Sequence, residues 1–329
     1  MGSNAPKAGG QHKIVCLDAY MCAVPKFNFP HEYVEFDNTI GEKQTIERAK
    51  DATIVITTRA GLTAETFSHC PRLEFIAVMG AGTNFLDTAA ARKRNIPVCN
   101  CPSASAEAVA EHAFALYLAA KKRIVDLHHA ILEGTDWPKY ISGFRFYSSP
   151  PRVSRHETLG IIGYGGLGKN IETIAKALGM KVLVAERKGV EGTNVRAGRT
   201  SFEEVLKSCT VLMIGCPLDD ETRNMFTAIE LQKMRKDGML INVARGGIVN
   251  EDDLVKALND GWIAAAATDV FVTEPATADT SPLIRNCPPN LTLSPHTAWY
   301  ADVSIERLQV MIKSVVEGYV SGSIQNVVN

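Results

Sequence analysis

Short apolar runs alternate with longer polar stretches of helical periodicity along nearly the whole chain. Residues 14–17, 54–57 and 75–79 are dense in β-branched and apolar side chains and are predicted as buried strands. Between them, residues 42–49 and 64–70 carry the mixed pattern of surface helices. Strands that alternate with helices imply a parallel sheet. The turn Gly80-Ala81-Gly82 follows the third of these strands, where open α/β sheets hold their ligands.

From Ser105 the pattern changes to helical spacing, with Val109, Ala113, Phe114, Tyr117, Leu118, Ile124 and Leu127 on one stripe. Ser105 is placed as the N-cap and Gly134 as the stop of one long helix. Pro102 just before it marks a domain boundary. Residues 137–147 then lose periodicity but keep Trp137, Tyr140, Phe144, Phe146 and Tyr147, a concentration that fits a subunit interface better than a core.

A second alternating unit opens at Thr158. Strands are predicted at 159–162, 181–185, 211–214, 239–242, 265–269 and 291–293, with a helix at 171–178. An amphipathic helix over 302–319 closes the chain. The expected architecture is α/β, with two doubly wound parallel-sheet domains in series.

Composition narrows the function. Charged residues make up 22% and the formal net charge is -1, so no nucleic-acid partner is implied. No apolar run reaches the roughly 20 residues needed to span a bilayer, so no membrane role is expected. Residues 1–11 lack the apolar centre of a secretory signal and read as a disordered tail. The eight cysteines are scattered, and the spacing of Cys99 and Cys101 is not that of a zinc site. Buried free thiols in a reducing, cytoplasmic setting are expected instead, with no metal.

Candidate chemistry begins at Gly163-Tyr164-Gly165-Gly166-Leu167-Gly168, which fits G-x-G-x-x-G between a strand and a helix. The first glycine permits a tight turn, the second lets a pyrophosphate approach the backbone, and the third lets helix and strand pack closely. Glu186, eighteen residues after Gly168, ends the next predicted strand and can accept the ribose hydroxyls, which favours NAD. Arg187 and Lys188 follow it and leave NADP open as the cofactor.

Three later segments sit at predicted strand ends: Val243-Ala244-Arg245, Asp269 to Glu274, and Ser294-Pro295-His296. An arginine fork can grip a carboxylate bidentately. A histidine can give a proton to a carbonyl oxygen as hydride arrives, and a glutamate on that imidazole would fix its tautomer and favour its charged form. Arg245, Glu274 and His296 together suit reduction of a small 2-oxo acid.

In motif order and spacing the chain resembles the D-isomer-specific 2-hydroxyacid dehydrogenase family from about residue 12 to its end. Trp299, after the histidine, resembles the glycerate dehydrogenase/hydroxypyruvate reductase branch. The resemblance implies that Arg245 orients substrate, His296 is the acid/base and Glu274 its partner. It implies cofactor contacts at Gly163, Gly165, Gly166, Leu167, Gly168, Glu186 and Arg187. Cys216, Pro217 and Thr222 would serve the adenosine side, and Val243, Ala244 and Asp269 the nicotinamide. Ala81 and Gly82, with Arg245, would bind the substrate carboxylate.

The fold implied is a Rossmann NAD-binding domain over 104–297 and a discontinuous, flavodoxin-like substrate domain over 12–103 and 298–329. The aromatic segment would be a dimerisation arm, making the protein a homodimer. Glutamine replaces Glu274 in the related formate dehydrogenases, and the long 3-phosphoglycerate dehydrogenases carry a further domain. Hydroxypyruvate or glyoxylate is the expected small-molecule partner. Two alternatives stay open on sequence: a dehydrogenase for a bulkier 2-oxo acid, and an NAD-sensing, corepressor-like binding protein.

Overall fold

The computed structural model describes residues 11–134, 136–147 and 149–329, without the side chains of Asp136, Tyr140 and Phe146. The tail expected over residues 1–11 lies outside them except for Gln11. The chain divides into two compact units, one up to Ser105 and again from Tyr300, the other Ala106–Trp299.

In the first unit, strands β1 His12–Cys16, β2 His31–Glu35, β3 Ile54–Thr57, β4 Phe75–Val78 and β5 Val98–Cys99 form a parallel sheet of order β2-β1-β3-β4-β5. This is the flavodoxin-like doubly wound order. Helices α1 Gly41–Ala49, α2 Ala64–His69 and α3 Thr88–Lys93 fill the crossovers. β3 and β4 are buried at every position, which is why they stand out as apolar runs.

β2 was not expected. Its sequence, His-Glu-Tyr-Val-Glu, is an edge strand with no fully buried residue, and charge on an edge deters stray pairing. β5 is only two residues long and was also not foreseen. Asp18 is 2% exposed and accepts the N–H groups of Thr58, Arg59 and Ala60 at 3.0 Å and the Thr57 hydroxyl at 2.9 Å, so one carboxylate ties down the turn after β3.

The C-terminal helix, Asp302–Val320, packs within this same unit. Tyr319 stacks on Phe75 of β4 with ring centroids 4.2 Å apart. Beyond the helix, Val328 donates to Val98, and the Asn329 side chain bonds Val98 and Ile96, so the chain end extends the sheet at β5.

The second unit opens with α4 Ala106–Lys121, α5 Ile124–Glu133 and α6 Asp136–Tyr140. The single long helix expected from Ser105 to Gly134 is therefore wrong. It breaks at Arg123, which takes a left-handed φ of 50°. The two halves face different surroundings. α4 buries Ala110, Ala113, Phe114 and Tyr117, whereas α5 buries nothing and leaves Ile124 55% exposed. Gly134 does end α5, with φ 70°.

The sheet comprises β6 Thr158–Ile162, β7 Lys181–Val184, β8 Val211–Ile214, β9 Met239–Asn242, β10 Ala265–Thr268 and β11 Leu291–Leu293, all parallel, in the order β11-β10-β9-β8-β6-β7. An isolated parallel bridge, Ala185 to Thr200, stands beyond β7 where a third strand of a Rossmann half would lie. Helices α7 Gly166–Ala177, α8 Phe202–Ser208, α9 Ala228–Lys233, α10 Glu251–Asn259 and α11 Pro282–Arg285 complete the winding.

The period of two along the strands divides the core into two layers. Leu159, Ile161, Val211, Met213 and Ile241 pack with α4 and α7 on one face. Ile162, Leu212, Ile214 and Leu240 pack with α8 to α10 on the other. Both faces of the central strands β6, β8 and β9 are covered, so these strands are largely apolar, and the C-terminal ends are left to carry polar chemistry.

Candidate active site

The glycine turn joins β6 to α7, whose first residue is Gly166 rather than the Ile171 end expected from apolar periodicity. Gly163 has φ 92°, and a Cβ there would lie 2.6 Å from the Cys216 amide nitrogen. A Cβ on Gly168 would lie 2.3 Å from the Gly163 carbonyl oxygen. These two glycines let the turn, the helix and the loop after β8 pack closely. Gly165 differs: it is the N-cap of α7, no side chain caps that end, and a Cβ there would meet no atom within 4 Å. Space is thus open beside Gly165, at the head of a twelve-residue helix that no side chain caps, which fits a dinucleotide pyrophosphate.

The loop after β8 holds Cys216 and Pro217. The Thr222 hydroxyl donates to the Pro217 carbonyl at 2.7 Å and also engages Asp219, so Thr222 fixes the loop's shape. Burial pushes the Cys216 thiol up to about 11, so it is an apolar wall and not a nucleophile. Cys99 and Cys101 of the first unit are likewise pushed up to about 12 by burial.

At the end of β7 the structure adds something unforeseen. Glu186 is 5% exposed, and its carboxylate is already occupied. Arg196 donates Nε to Oε2 at 2.7 Å and Nη2 to Oε1 at 2.6 Å, while the Arg187 and Arg196 amides add bonds of 2.9 and 3.3 Å. The guanidinium of Arg196, first, holds the Glu186 carboxyl down to about 2. Lys188 turns away to Glu230 and the Met225 carbonyl, at 2.9 and 3.0 Å. Arg187 stays on the surface. Arg196 and Arg199 were missed because they lie in a turn ten or more residues past the strand, where no spacing rule points.

The proposed reaction centre is built at the ends of β9, β10 and β11. Val243 and Ala244 are buried, and Asn242 braces the turn by accepting from the Ala244 amide and donating to the Arg245 carbonyl. Arg245 is half-buried, with Nη1 on the Ala244 carbonyl at 2.7 Å. Burial lowers its pKa, opposed by the charge of Glu274. Arginine does not lose its proton in proteins, so the guanidinium remains charged.

Glu274 accepts from the Phe271 amide through Oε1 at 3.0 Å and meets Nδ1 of His296 through Oε2 at 2.5 Å. With Nδ1–H donated to the carboxylate, Nε2 is the nitrogen left to exchange a proton. His296 sits at φ 55°, an uncommon conformation for a side chain other than glycine, and its amide donates to the Asp269 carbonyl at 2.8 Å.

Asp269 explains how that conformation is kept. It is fully buried, and its carboxylate accepts the Ser294 hydroxyl at 2.6 Å and the Thr297 and Ala298 amides at 3.0 and 2.9 Å. His112 of α4 reaches Ser294 at 2.9 Å and lies 3.4 Å from Asp269. Burial pushes the Asp269 carboxyl up, but hydrogen bonds from His112, Ser294, Ala298 and Thr297 bring it below the ordinary range on balance. Sequence reasoning placed Asp269 beside the nicotinamide; its visible work is to pin the loop that carries His296. His112 was not foreseen, because one histidine on a helical stripe carries no signal of its own.

Comparisons with known proteins identify the family. A family model described as "D-isomer specific 2-hydroxyacid dehydrogenase, NAD binding domain" matches residues 114–298. The chain is 37% identical over 318 residues to a glycerate dehydrogenase of Methylorubrum extorquens, covering 96% of this chain and 98% of that protein. It is 32% identical over 334 residues to a hydroxypyruvate reductase of Blautia hydrogenotrophica, covering 96% and 99%. Among solved structures, a D-lactate dehydrogenase of Aquifex aeolicus complexed with NAD and lactic acid matches with a TM-score of 0.75 at 26% identity, covering 94% of this chain and 96% of that one.

Proposed function

The chain belongs to the D-isomer-specific 2-hydroxyacid dehydrogenase family, and from that premise we propose that it reduces hydroxypyruvate, and glyoxylate as a smaller alternative, to the corresponding D-2-hydroxy acid. It is an NAD-dependent oxidoreductase. The observation that carries the reading is the Glu274–His296 pair at 2.5 Å, with the half-buried Arg245 near enough to feel the charge of Glu274.

In this reading the glycine turn would hold NADH, which would supply the hydride for the carbonyl carbon. His296 gives the proton on Nε2 to the carbonyl oxygen, and takes it back when the 2-hydroxy acid is oxidised. Glu274 keeps the imidazole turned the right way and balances its positive charge before the transfer. Arg245 grips the substrate carboxylate with its planar fork and orients the adjacent carbonyl. One 2-oxo acid, one NADH and one proton give one 2-hydroxy acid and one NAD⁺. Gly163, Gly165, Gly166, Leu167 and Gly168 are assigned to the pyrophosphate. Cys216, Pro217 and Thr222 are assigned to the adenosine, and Val243, Ala244 and Asp269 to the nicotinamide side. Within the first unit, Ala81 and Gly82 are assigned to the substrate carboxylate. Their turn is held by Asn100 on the Ala81 carbonyl at 2.7 Å and by Cys101 on the Gly80 carbonyl at 2.9 Å.

We read residues 104–297 as the dinucleotide domain and 12–103 with 298–329 as the substrate domain. A homodimer is proposed because Ile131, Leu132, Trp137, Ile141 and Phe144, on or just after α5, are all more than half exposed. A cytoplasmic location is proposed because all eight cysteines are free thiols, six of them buried. No helix among the described residues is long and apolar enough to cross a membrane.

The test is loss of NADH absorbance with a panel of 2-oxo acids. Hydroxypyruvate should give the highest kcat/KM, and His296→Ala should lower kcat by about 10²- to 10⁴-fold with NADH still bound. Absence of turnover across the panel, or a His296→Ala enzyme of normal kcat, refutes the proposal.

A further inference from the structure

We propose that Arg196 determines cofactor specificity: by occupying Glu186 it turns the adenosine-ribose subsite from one that rejects a 2′-phosphate into one that accepts it, so the enzyme takes NADP(H) as well as NAD(H).

An acidic residue at the end of the second Rossmann strand selects NAD in two ways. It accepts the 2′- and 3′-hydroxyls, and its charge repels a 2′-phosphate. Glu186 stands at that place, directly after the Ala185–Thr200 bridge. A carboxylate has about four acceptor sites. Here four donors already use them: Arg196 Nε, Arg196 Nη2, and the amides of Arg187 and Arg196. Ribose hydroxyls could be accepted only by displacing one of these. The charge is also neutralised at 2.6 Å by a guanidinium, so the repulsion of a phosphate is largely cancelled.

What remains at the edge is cationic. Arg196 is 61% exposed while paired, and its second terminal nitrogen is not used by Glu186. Arg187 is 75% exposed and lies 3.9 Å from Glu221. Arg199 lies over the ring of Tyr164, in the glycine turn itself, at 4.7 Å, and bonds the Ala185 carbonyl at 3.3 Å. Two exposed guanidiniums, with a third stacked between the turn and the strand end, suit a phosphate dianion, which arginine forks bind bidentately. Lys188 is not part of this edge, because Glu230 holds it.

The inference rests on the adenosine end of the cofactor lying at β7. Its test is therefore binding to the cofactor-free protein, independent of any 2-oxo acid. Calorimetry would compare AMP with adenosine 2′,5′-bisphosphate, and protein fluorescence would compare NADH with NADPH. In the unaltered protein the phosphorylated member of each pair should bind within about tenfold of the other. Arg196→Ala should raise its Kd at least tenfold relative to its partner while AMP and NADH bind as well or better, because Glu186 is released to the ribose. Glu186→Gln should move the ratio the opposite way.

Thermal melting of each variant controls for folding, and Arg187→Ala provides a second surface variant with a smaller loss in the same direction as Arg196→Ala. A Kd ratio unchanged in Arg196→Ala, or moved in the same direction by Arg196→Ala and Glu186→Gln, overturns the proposal. So does an Arg196→Ala protein that gains affinity for both members equally, which would make the side chain a plain obstruction. AMP binding that is absent altogether would instead count against the placement of the adenosine site.

Discussion

Replacing Asp269 with asparagine tests whether the loop carrying His296 is held by charge. The native carboxylate accepts the Ser294 hydroxyl and the Thr297 and Ala298 amides at 2.6 to 3.0 Å with no exposure to water. Asparagine offers a single oxygen and turns an NH₂ group toward at least one of those amides. The Ser294 hydroxyl can rotate and accept from it, but a backbone N–H cannot. One charged hydrogen bond is lost outright and a second becomes neutral, at about 1.5–3 kcal/mol for a bond to a charged group, so the expected cost is about 3 kcal/mol. For a unit of this size each kcal/mol moves Tm by about 2–4 °C, so calorimetry should show a fall of roughly 6–12 °C.

The effect has a pH signature. The Asp269 carboxyl lies below its ordinary range in the folded protein, so its contribution is fully present above the ordinary aspartate pKa of about 3.9 and is lost as pH falls through the lower folded value. The stability gap between the two proteins should be constant from pH 5 to 8 and close only in acid below about pH 4. Because the loop sets the position of His296, kcat should fall by about 10²-fold, the usual loss when a reacting group is misplaced by about 1 Å. A variant with unaltered Tm and kcat, or a gap that does not close in acid, refutes this account.

Other outcomes follow from the same contacts. Gly165→Ala should leave the Tm of the cofactor-free protein within a degree or so, because its Cβ meets nothing, yet weaken NADH binding at least tenfold; Gly168→Ala should lower Tm itself, since its Cβ would lie 2.3 Å from the Gly163 carbonyl. Glu274→Gln keeps a hydrogen-bonding partner for His296 but removes the charge, a difference of about 1–2 kcal/mol, and steady-state assays should show kcat down roughly 5- to 30-fold. Glu157 and Lys121 are a buried ion pair at 2.8 Å, so Glu157→Gln should cost about 3 kcal/mol in denaturant unfolding. Burial pushes the Glu157 carboxyl up, but Lys121, Thr210 and Arg152 bring it below its usual range, so that penalty too should fade in acid.

The sequence was legible where one physical cause dominated a segment. Strands buried on both faces, such as β3, β4 and β8, are continuous apolar runs and need no context. The glycine turn was legible because sterics admit so few residues at Gly163 and Gly168. β2 was not, because an edge strand is chosen for what it avoids, and His31, Glu32 and Glu35 hide its pairing. The break at Arg123 was not, because α4 and α5 share one apolar stripe that serves two different surfaces.

At the site the same division holds. Arg245, Glu274 and His296 sit at strand ends, where topology itself delivers them, so order and spacing were enough to nominate them. Arg196, Arg199 and His112 act through contacts made by a distant turn or a neighbouring helix, and no local pattern encodes those. Reading Glu186 by position alone gave it vacant oxygens and an uncompensated charge. The fold supplies Arg196 and removes both, so a residue that spacing marks as a selector for NAD is, in its own surroundings, a neutralised anchor beneath a cationic edge. The chemistry of a strand end is thus fixed twice, once by the residue placed there and once by what the following turn lays across it, and only the first of these can be read along the chain.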